Sequence, residues 1–461
     1  MSVLHAPEAL LPAGWARDVR IEVDGAGLIV SVTPQAPPTG AERLRGPALP
    51  GLCDLHCHAF QRAMAGLAER RGSSGDTFWT WREVMYGFVS RLDPDDVEAI
   101  AAQLYVELLK GGFTSVCEFH YLHHDPDGRP YANPTEMSER LIAAAAGAGI
   151  GLTLLPVLYM SSDFGGKPPT PGQRRFLGTP DSIVSMIDAL GAAHPDVRFG
   201  LAPHSLRAVP PDALAGALRA LDAIDPAAPI HIHAAEQERE VADCVAWSGR
   251  RPVEWLLDRH RLSLRWCVIH ATHMTGAETD ALAASGAVAG LCPTTEANLG
   301  DGLFPLARYL ERGGSLGIGS DANVSVSAIE ELRMLEYGQR LAHRRRSIAA
   351  TAESPSVGAT LYRAALAGGA GASGRPIAGL APGQRADLVV LGPDAPFLVG
   401  RVGDTLLDAL VFGGNASPIR DVYVGGRKVV VDGWHAGETA IFARFRRALA
   451  RLSGSWPGAR L

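Results

Sequence analysis

The sequence predicts an α/β protein: a (β/α)8 TIM-like barrel with a small flanking β-sandwich domain formed by both chain ends. Three observations carry that expectation. Eight short apolar runs alternate with longer amphipathic stretches, the two chain ends show period-two alternation, and no G-x-G-x-x-G follows the first central run. The first favours parallel βαβ units, the second a separate antiparallel sheet, and the third argues against an open doubly wound sheet. The barrel is expected over 49–375 and the flanking domain over 1–48 and 376–461.

Residues 18–33 (DVRIEVDGAGLIVSVT) alternate around a D-G turn, as a small antiparallel sheet does. The barrel runs are LPGLCDLHCH (49–58), FTSVCEFH (113–120), IGLTLLPVLY (150–159), VRFGLAPHS (197–205), PIHIHAAE (229–236), WCVIHATHM (266–274), AVAGLCPTTE (287–296) and SLGIGSDAN (315–323). Helices are expected between them, among others at Pro94–Lys110, Pro180–Ala193 and Arg239–Arg259. Leu141–Met160 carries no charge, but GAGIG and Pro156 divide it into a helix end, a glycine turn and a strand, which reads better than a membrane span. Arg344–Arg346 reads as a solvated helix face. Residues 384–432 return to alternation with QRADLVVLG and DVYVGGRKVVVDG, so the two ends can pair into one sheet.

Composition narrows the class. Of 461 residues 47% are hydrophobic and 20% charged, ample for a large core and unlike a disordered chain. The 43 Lys and Arg against 49 Asp and Glu give a net charge of −6, which argues against a nucleic-acid backbone as partner. Six cysteines are too sparse for a disulfide scaffold, and Cys53 and Cys57 read as packing residues. The N-terminus has no basic region leading into an apolar one, so a cytoplasmic protein is expected, with a small-molecule substrate, no membrane, and a second copy of itself as partner in a homodimer.

In a parallel barrel the C-terminal strand ends face one mouth. Those ends carry His56 and His58, then His204, His233 with Glu236, His270 and Asp321. His56 and His58 are two apart, so both point the same way from a strand. Neutral imidazoles with a carboxylate suit one divalent metal, zinc above all, with an open position for water. A lone H-x-H is more often structural, and it is the set of strand ends that favours ligation. His231 reads as a barrel-interior residue one layer below His233. His120, His123 and His124 precede Asp-Pro-Asp-Gly and read as solvated or supporting residues of a loop.

The motifs PGLCDLHCH, HIHAAE, CVIHATH and GIGSDA resemble the amidohydrolase superfamily, in its mononuclear deaminase branch, over 49–323 and, with the β segments, most of the chain. The resemblance implies metal ligation by His56, His58, His233 and Asp321, and proton transfer by Glu236 and His270 with Asp321. Binuclear members carry a bridging Lys or Glu on the fourth strand, whereas this one reads GLAPHSLRAV, so one metal is expected. HAFQRAMAGLAE, FHYLHHDPDGRPYANP, PVLYM, APHSLRAV and CPTTEANLGDGLFP together are similar to the formimidoylglutamate deiminases. That closer resemblance implies a dicarboxylate substrate held by Gln61, Arg82, Tyr121, His204 and Arg207. Arg forks bind carboxylates bidentately, which fits. A purine, pterin or triazine aminohydrolase is the alternative on the same fold, and an inactive scaffold barrel the alternative of another class.

Overall fold

The structure, a computed structural model, describes residues 1–69 and 77–453. Eight parallel staves form the barrel: Leu52–Cys57, Phe113–His120, Gly151–Leu158, a fourth made of Arg198–Phe199 and Ala202–Pro203, then Ile230–Ala234, Trp266–His270, Val288–Leu291 and Ser315–Ile318. Hydrogen-bonded pairing runs from the first through the fourth and from the fifth through the eighth. Single bridges close the circle, Leu201 with Ile230 and Ser205 with His233 on one side, Cys57 with Asp321 on the other. The strands are buried nearly throughout because helices cover their outer face and packed side chains fill the interior.

Local chemistry sets the helix ends. Asp93 accepts from the Asp96 amide at 2.8 Å to start Pro94–Lys110, and Thr179 caps Pro180–Ala193 in the same way. Gly149, at φ 76°, ends Glu136–Ala148 and leads into the third stave, so the uncharged stretch 141–160 is a helix end, a turn and a strand. The single helix expected over Arg239–Arg259 is two, Glu238–Ser248 and Pro252–Arg259. Gly249 at φ 73° terminates the first and Pro252 opens the second. Arg344–Arg346 is exposed but lies past Ala328–His343, with Arg344 in the left-handed region as its C-cap, so it is a helix end and not a face.

Both chain ends build one nine-stranded sheet. Ser2–Leu11 pairs antiparallel with Gly14–Val23, which pairs with Ile29–Thr33 across the D-G turn. Ala48–Pro50 joins Ser2–Leu11 to Leu388–Leu391, from which Ile419–Val424, Arg427–Val431 and Trp434–His435 continue. The final helix, Glu438–Ser453, packs back on Pro94–Lys110 through Lys110–Glu438 at 2.6 Å and Arg444–Glu98 at 2.9 Å. We propose 49–375 and 1–48 with 376–461 as the two domains, with Leu49 and Pro50 as the crossing point; residues 454–461 lie outside the described residues. No helix among the described residues is long and apolar enough to cross a membrane.

Helix Val357–Ser373 lies directly against the first and eighth staves, and its glycines make that approach possible. A Cβ on Gly368 would fall 1.9 Å from the Leu316 carbonyl oxygen, and one on Gly369 2.9 Å from the Cys53 Cβ. Gly368→Ala is therefore expected to lower stability by roughly 1–3 kcal/mol, seen as a reduced thermal midpoint; an unchanged midpoint would mean the helix can step off the staves freely.

Candidate active site

The strand ends turn inward through strained backbone. Ala235, His270, Ala271, Asp321 and Asn323 all have φ between 47° and 68°, a region that costs non-glycine residues of order 1 kcal/mol each. Specific contacts hold these turns. The Glu240 carboxylate accepts from the Ala235 and Glu236 amides at 3.2 and 3.0 Å, and Asn323 Nδ2 donates to the His58 and Asp321 carbonyls at 3.0 and 2.8 Å.

His56, His58 and His233 converge with Asp321. The Nε2 atoms of His56 and His233 are 3.0 Å apart, and Asp321 Oδ1 is 3.5 Å from His56 Nε2 and 3.4 Å from His58 Nε2. His58 Nδ1 donates to the Phe119 carbonyl and His233 Nδ1 to that of His204, so their Nε2 atoms present lone pairs. Burial holds all three imidazoles below the usual histidine range, with the neighbouring imidazoles adding to the effect at His56 and His233. Imidazole nitrogens and a carboxylate oxygen facing one point are a donor set that fits a divalent cation.

Beside this cluster, His270 Nε2 faces Glu236 Oε1 at 3.7 Å and Asp321 Oδ2 at 3.9 Å, while its Nδ1 meets Glu296 Oε1 at 3.3 Å. Burial works against charge on His270, but Glu236, Glu296 and Asp321 outweigh it and raise the imidazole to about 10. Burial lifts Glu236 to about 7, against the pull of His270 and Arg207. Protons can therefore be held and exchanged between an imidazole and a carboxyl at this point. Cys292 shares the cluster with His270 and Glu296, and burial pushes its thiol up.

A cavity of about 60 Å³ opens over these groups, and Gln61, Arg82, Tyr121, His204 and Arg207 all line it. Helix Phe78–Val89 buries Phe78 and Met85 and turns Arg82 to the cavity, where its guanidinium lies 4.7 Å from the Trp79 ring centre. Arg207 is buried on the loop after the fourth stave. The Nε atoms of both arginines are buried without a hydrogen-bond partner among the described residues. Gln61 Nε2 donates to the Tyr121 hydroxyl at 2.9 Å. His204 Nδ1 contacts Ser205 Oγ at 3.1 Å, and its ring lies 4.7 Å from that of Tyr159.

Several contributors escape sequence reading. Tyr159 and Phe176 line the cavity, and Gln173 Nε2 donates to the Tyr159 hydroxyl at 2.8 Å. Tyr159 lies within PVLYM and Glu296 within CPTTEANLG, so both stand in motifs visible in the sequence. Glu240 and Asn323 carry no such signal. His123 and His124 are not solvated: each Nε2 donates to a carbonyl, of Val157 at 2.9 Å and of Leu177 at 2.8 Å, and His120 is buried with them. His231 donates to the Ala372 carbonyl at 2.8 Å inside the barrel.

A parallel barrel whose C-terminal mouth gathers three imidazoles, a carboxylate and an acid–base pair defines a metal-dependent hydrolase. The Amidohydrolase family model matches residues 48–429, and the model of the formimidoylglutamate deiminase HutF N-terminal domain matches 1–46. The chain is 54% identical to the formimidoylglutamate deiminase of Pseudomonas aeruginosa over 98% of its own length and 100% of that protein. A solved amidohydrolase from Brucella melitensis is 49% identical with a TM-score of 0.93, covering 98% of this chain and 100% of that one. An adenosine deaminase from Xanthomonas campestris, 22% identical with a TM-score of 0.80 over 98% of both chains, shares the fold. The chain belongs to the amidohydrolase family and, within it, to the formimidoylglutamate deiminases.

The cavity wall rests on Arg175, 1% exposed, which donates to the carbonyls of His124 at 2.8 Å, Leu92 at 2.9 Å and Val89. It ties the end of helix Phe78–Val89 to the loop that carries Phe176. Arg175→Met strands these buried carbonyls, so a loss of at least ~2 kcal/mol is expected, read by denaturant unfolding, with faster proteolysis in that loop. Parent-like stability would show that water replaces the guanidinium at no cost.

Proposed function

We propose that the chain hydrolyses N-formimidoyl-L-glutamate to N-formyl-L-glutamate and ammonia, in the degradation of histidine. The observation that carries this reading is the pair Arg82 and Arg207, two guanidiniums with unpaired Nε atoms lining a cavity that ends on the His/Asp cluster. A linear dicarboxylate with a cationic, amidine-like head meets both ends: its carboxylates pair with the arginines and its head reaches the carboxyl-rich floor. Tyr121 accepts from Gln61 and keeps its own hydroxyl proton to donate to a carboxylate. His204 contacts the substrate between the two ends. A flat purine or triazine would leave the two cations without counter-charge.

We assign His56, His58, His233 and Asp321 to hold one divalent metal, and the three imidazoles with a carboxylate favour zinc. The metal, when bound, supplies the Lewis acidity that makes water nucleophilic near neutral pH. His270, whose charged form a divalent cation on the neighbouring cluster would disfavour, orients the attacking water and takes its proton at Nε2, assisted by Asp321. The C–O bond forms at the amidine carbon, Glu236 delivers a proton to the departing nitrogen, and the C–N bond breaks to release ammonia. Free thiols at all six cysteines support a reducing, cytoplasmic setting, and a homodimer is the assembly we propose.

Replacing Arg82 or Arg207 with Met is expected to raise KM for formimidoylglutamate and cut kcat/KM by roughly 10- to 150-fold, with metal content unchanged and little loss on a formimidoyl compound without carboxylates. Lys at either position is expected to rescue only in part. If both Met variants match the parent on formimidoylglutamate, the dicarboxylate reading fails. In a second experiment, His56→Ala and Asp321→Ala are expected to lose metal and activity together, while Glu236→Gln keeps its metal by elemental analysis yet loses at least ~100-fold in ammonia release. An active Glu236→Gln would remove that carboxyl from the mechanism.

A further inference from the structure

His270 is held in an unusual setting for a base at a strand end. Its backbone is left-handed at φ 68°, its ring is 1% exposed, and three carboxylates surround it. Two of them, Glu236 and Asp321, face Nε2 on the reacting side. The third, Glu296, faces Nδ1 on the far side, and the reaction as derived gives it no part.

Glu296 is itself anchored more firmly than a side chain that merely fills space. Its Oε1 accepts the Cys292 amide at 2.9 Å, its own amide donates to the Cys292 carbonyl at 2.8 Å, and its carbonyl accepts from the Asp301 amide at 2.9 Å. The adjacent residue ties the same short helix, Pro293–Leu299, to the eighth stave: Thr295 Oγ1 donates to the Ser320 carbonyl at 3.1 Å and accepts the Ala322 amide at 3.2 Å. The carboxylate that meets Nδ1 is thus fixed relative to Asp321, on the other side of the ring. An imidazole can present either nitrogen by a half-turn and can carry its proton on either. A carboxylate fixed at Nδ1 removes both freedoms.

We propose that Glu296 is a positioning residue for the reaction: it accepts the Nδ1–H of His270, directs Nε2 at the attacking water, and offsets the positive charge that appears when Nε2 takes the water's proton. The inference rests on the assignment of His270 as the proton acceptor made above. It involves no new bond, since the proton passes from water to Nε2 and Nδ1–H stays shared with Glu296.

Two variants test it in the metal-loaded enzyme. Glu296→Gln keeps an acceptor oxygen at Nδ1 and removes the charge, whereas Glu296→Leu removes both. With formimidoylglutamate, the Gln variant is expected to keep its metal and a KM within about twofold of the parent while kcat falls roughly 10-fold. The Leu variant is expected to lose roughly 100-fold in kcat. In 15N-histidine-labelled protein, a slowly exchanging imidazole N–H signal that His270→Asn abolishes is expected in the parent and absent from Glu296→Leu. Parent-like kcat in a folded Glu296→Gln overturns the proposal. So does a defect confined to KM, which would make Glu296 a substrate contact, or loss of metal, which would make it a support of the ligand cluster. If the Leu variant does not fold, the Gln variant decides alone. A parent enzyme that releases no ammonia from formimidoylglutamate sinks the substrate reading instead, and the same comparison is then made on whichever amidine it does hydrolyse.

Discussion

The barrel mouth depends on one seam, the closure between the first and eighth staves. Asp54 stitches it from within. Its carboxylate accepts the Ser320 amide at 2.9 Å, the Ser320 hydroxyl and, at 3.4 Å, the His56 amide, all out of contact with water. Burial raises this carboxyl to about 7 even though every one of those donors works to lower it. The same seam requires glycine at 319, where a Cβ would sit 2.7 Å from the His56 carbonyl oxygen. Because the two staves lie this close, His56 and His58 come within 3.5 Å of an aspartate more than 260 residues away in the chain. A strand slip of one residue would turn those imidazoles outward.

The charges of the cavity are segregated along its depth. Glu236 and Asp321 line it beside His270, with Glu296 behind that ring, and Arg82 and Arg207 line it elsewhere. In low dielectric such segregation makes a cavity selective for a molecule with the opposite polarity, positive head inward and negative groups behind it. The arrangement also keeps the arginines from quenching the carboxyls directly, since no ion pair within 4 Å links the two sets among the described residues. The Trp79 and Tyr86 rings take up the guanidinium face of Arg82, and Trp79 also that of Arg207.

How much of this was legible in the sequence follows from how each feature is encoded. The eight staves and their polar ends could be read because apolar runs, helix caps such as Asp93 and Thr179, and glycine stops are local signals. The convergence of His56, His58, His233, His270 and Asp321 follows once the runs are closed into a barrel, since strand ends then share one mouth. Arg82 and Arg207 needed resemblance, because neither an arginine on a helix nor one on a loop has a spacing that separates a clamp from a solvated residue. Glu240, Asn323, Arg175 and Gln173 were illegible for a related reason: their partners are main-chain groups or distant side chains, and a main-chain carbonyl leaves no mark in a sequence. The split at Gly249 was written plainly, but the amphipathic pattern on either side of Gly249–Pro252 outweighs it in a single reading. Of the two readings of the histidines after the second stave, supporting holds and solvated does not: Asp-Pro-Asp-Gly announces a surface turn, which it makes, while His120 and His123 before it are already buried and His124 half-buried.

The sheet shared by the two chain ends also sets an order of events during synthesis. Ala48–Pro50 takes its place between Ser2–Leu11 and Leu388–Leu391, partners separated by nearly the whole chain. The first hairpins can form as soon as they leave the ribosome, but one edge stays without its neighbour until about 340 further residues have been made. At typical elongation rates that interval is roughly 20–70 s. For most of it the first stave, which follows Pro50 by two residues, has no eighth stave to close against. The nascent chain therefore carries an open strand edge and an incomplete barrel for most of its translation, the state in which an unpaired strand most readily finds a wrong partner.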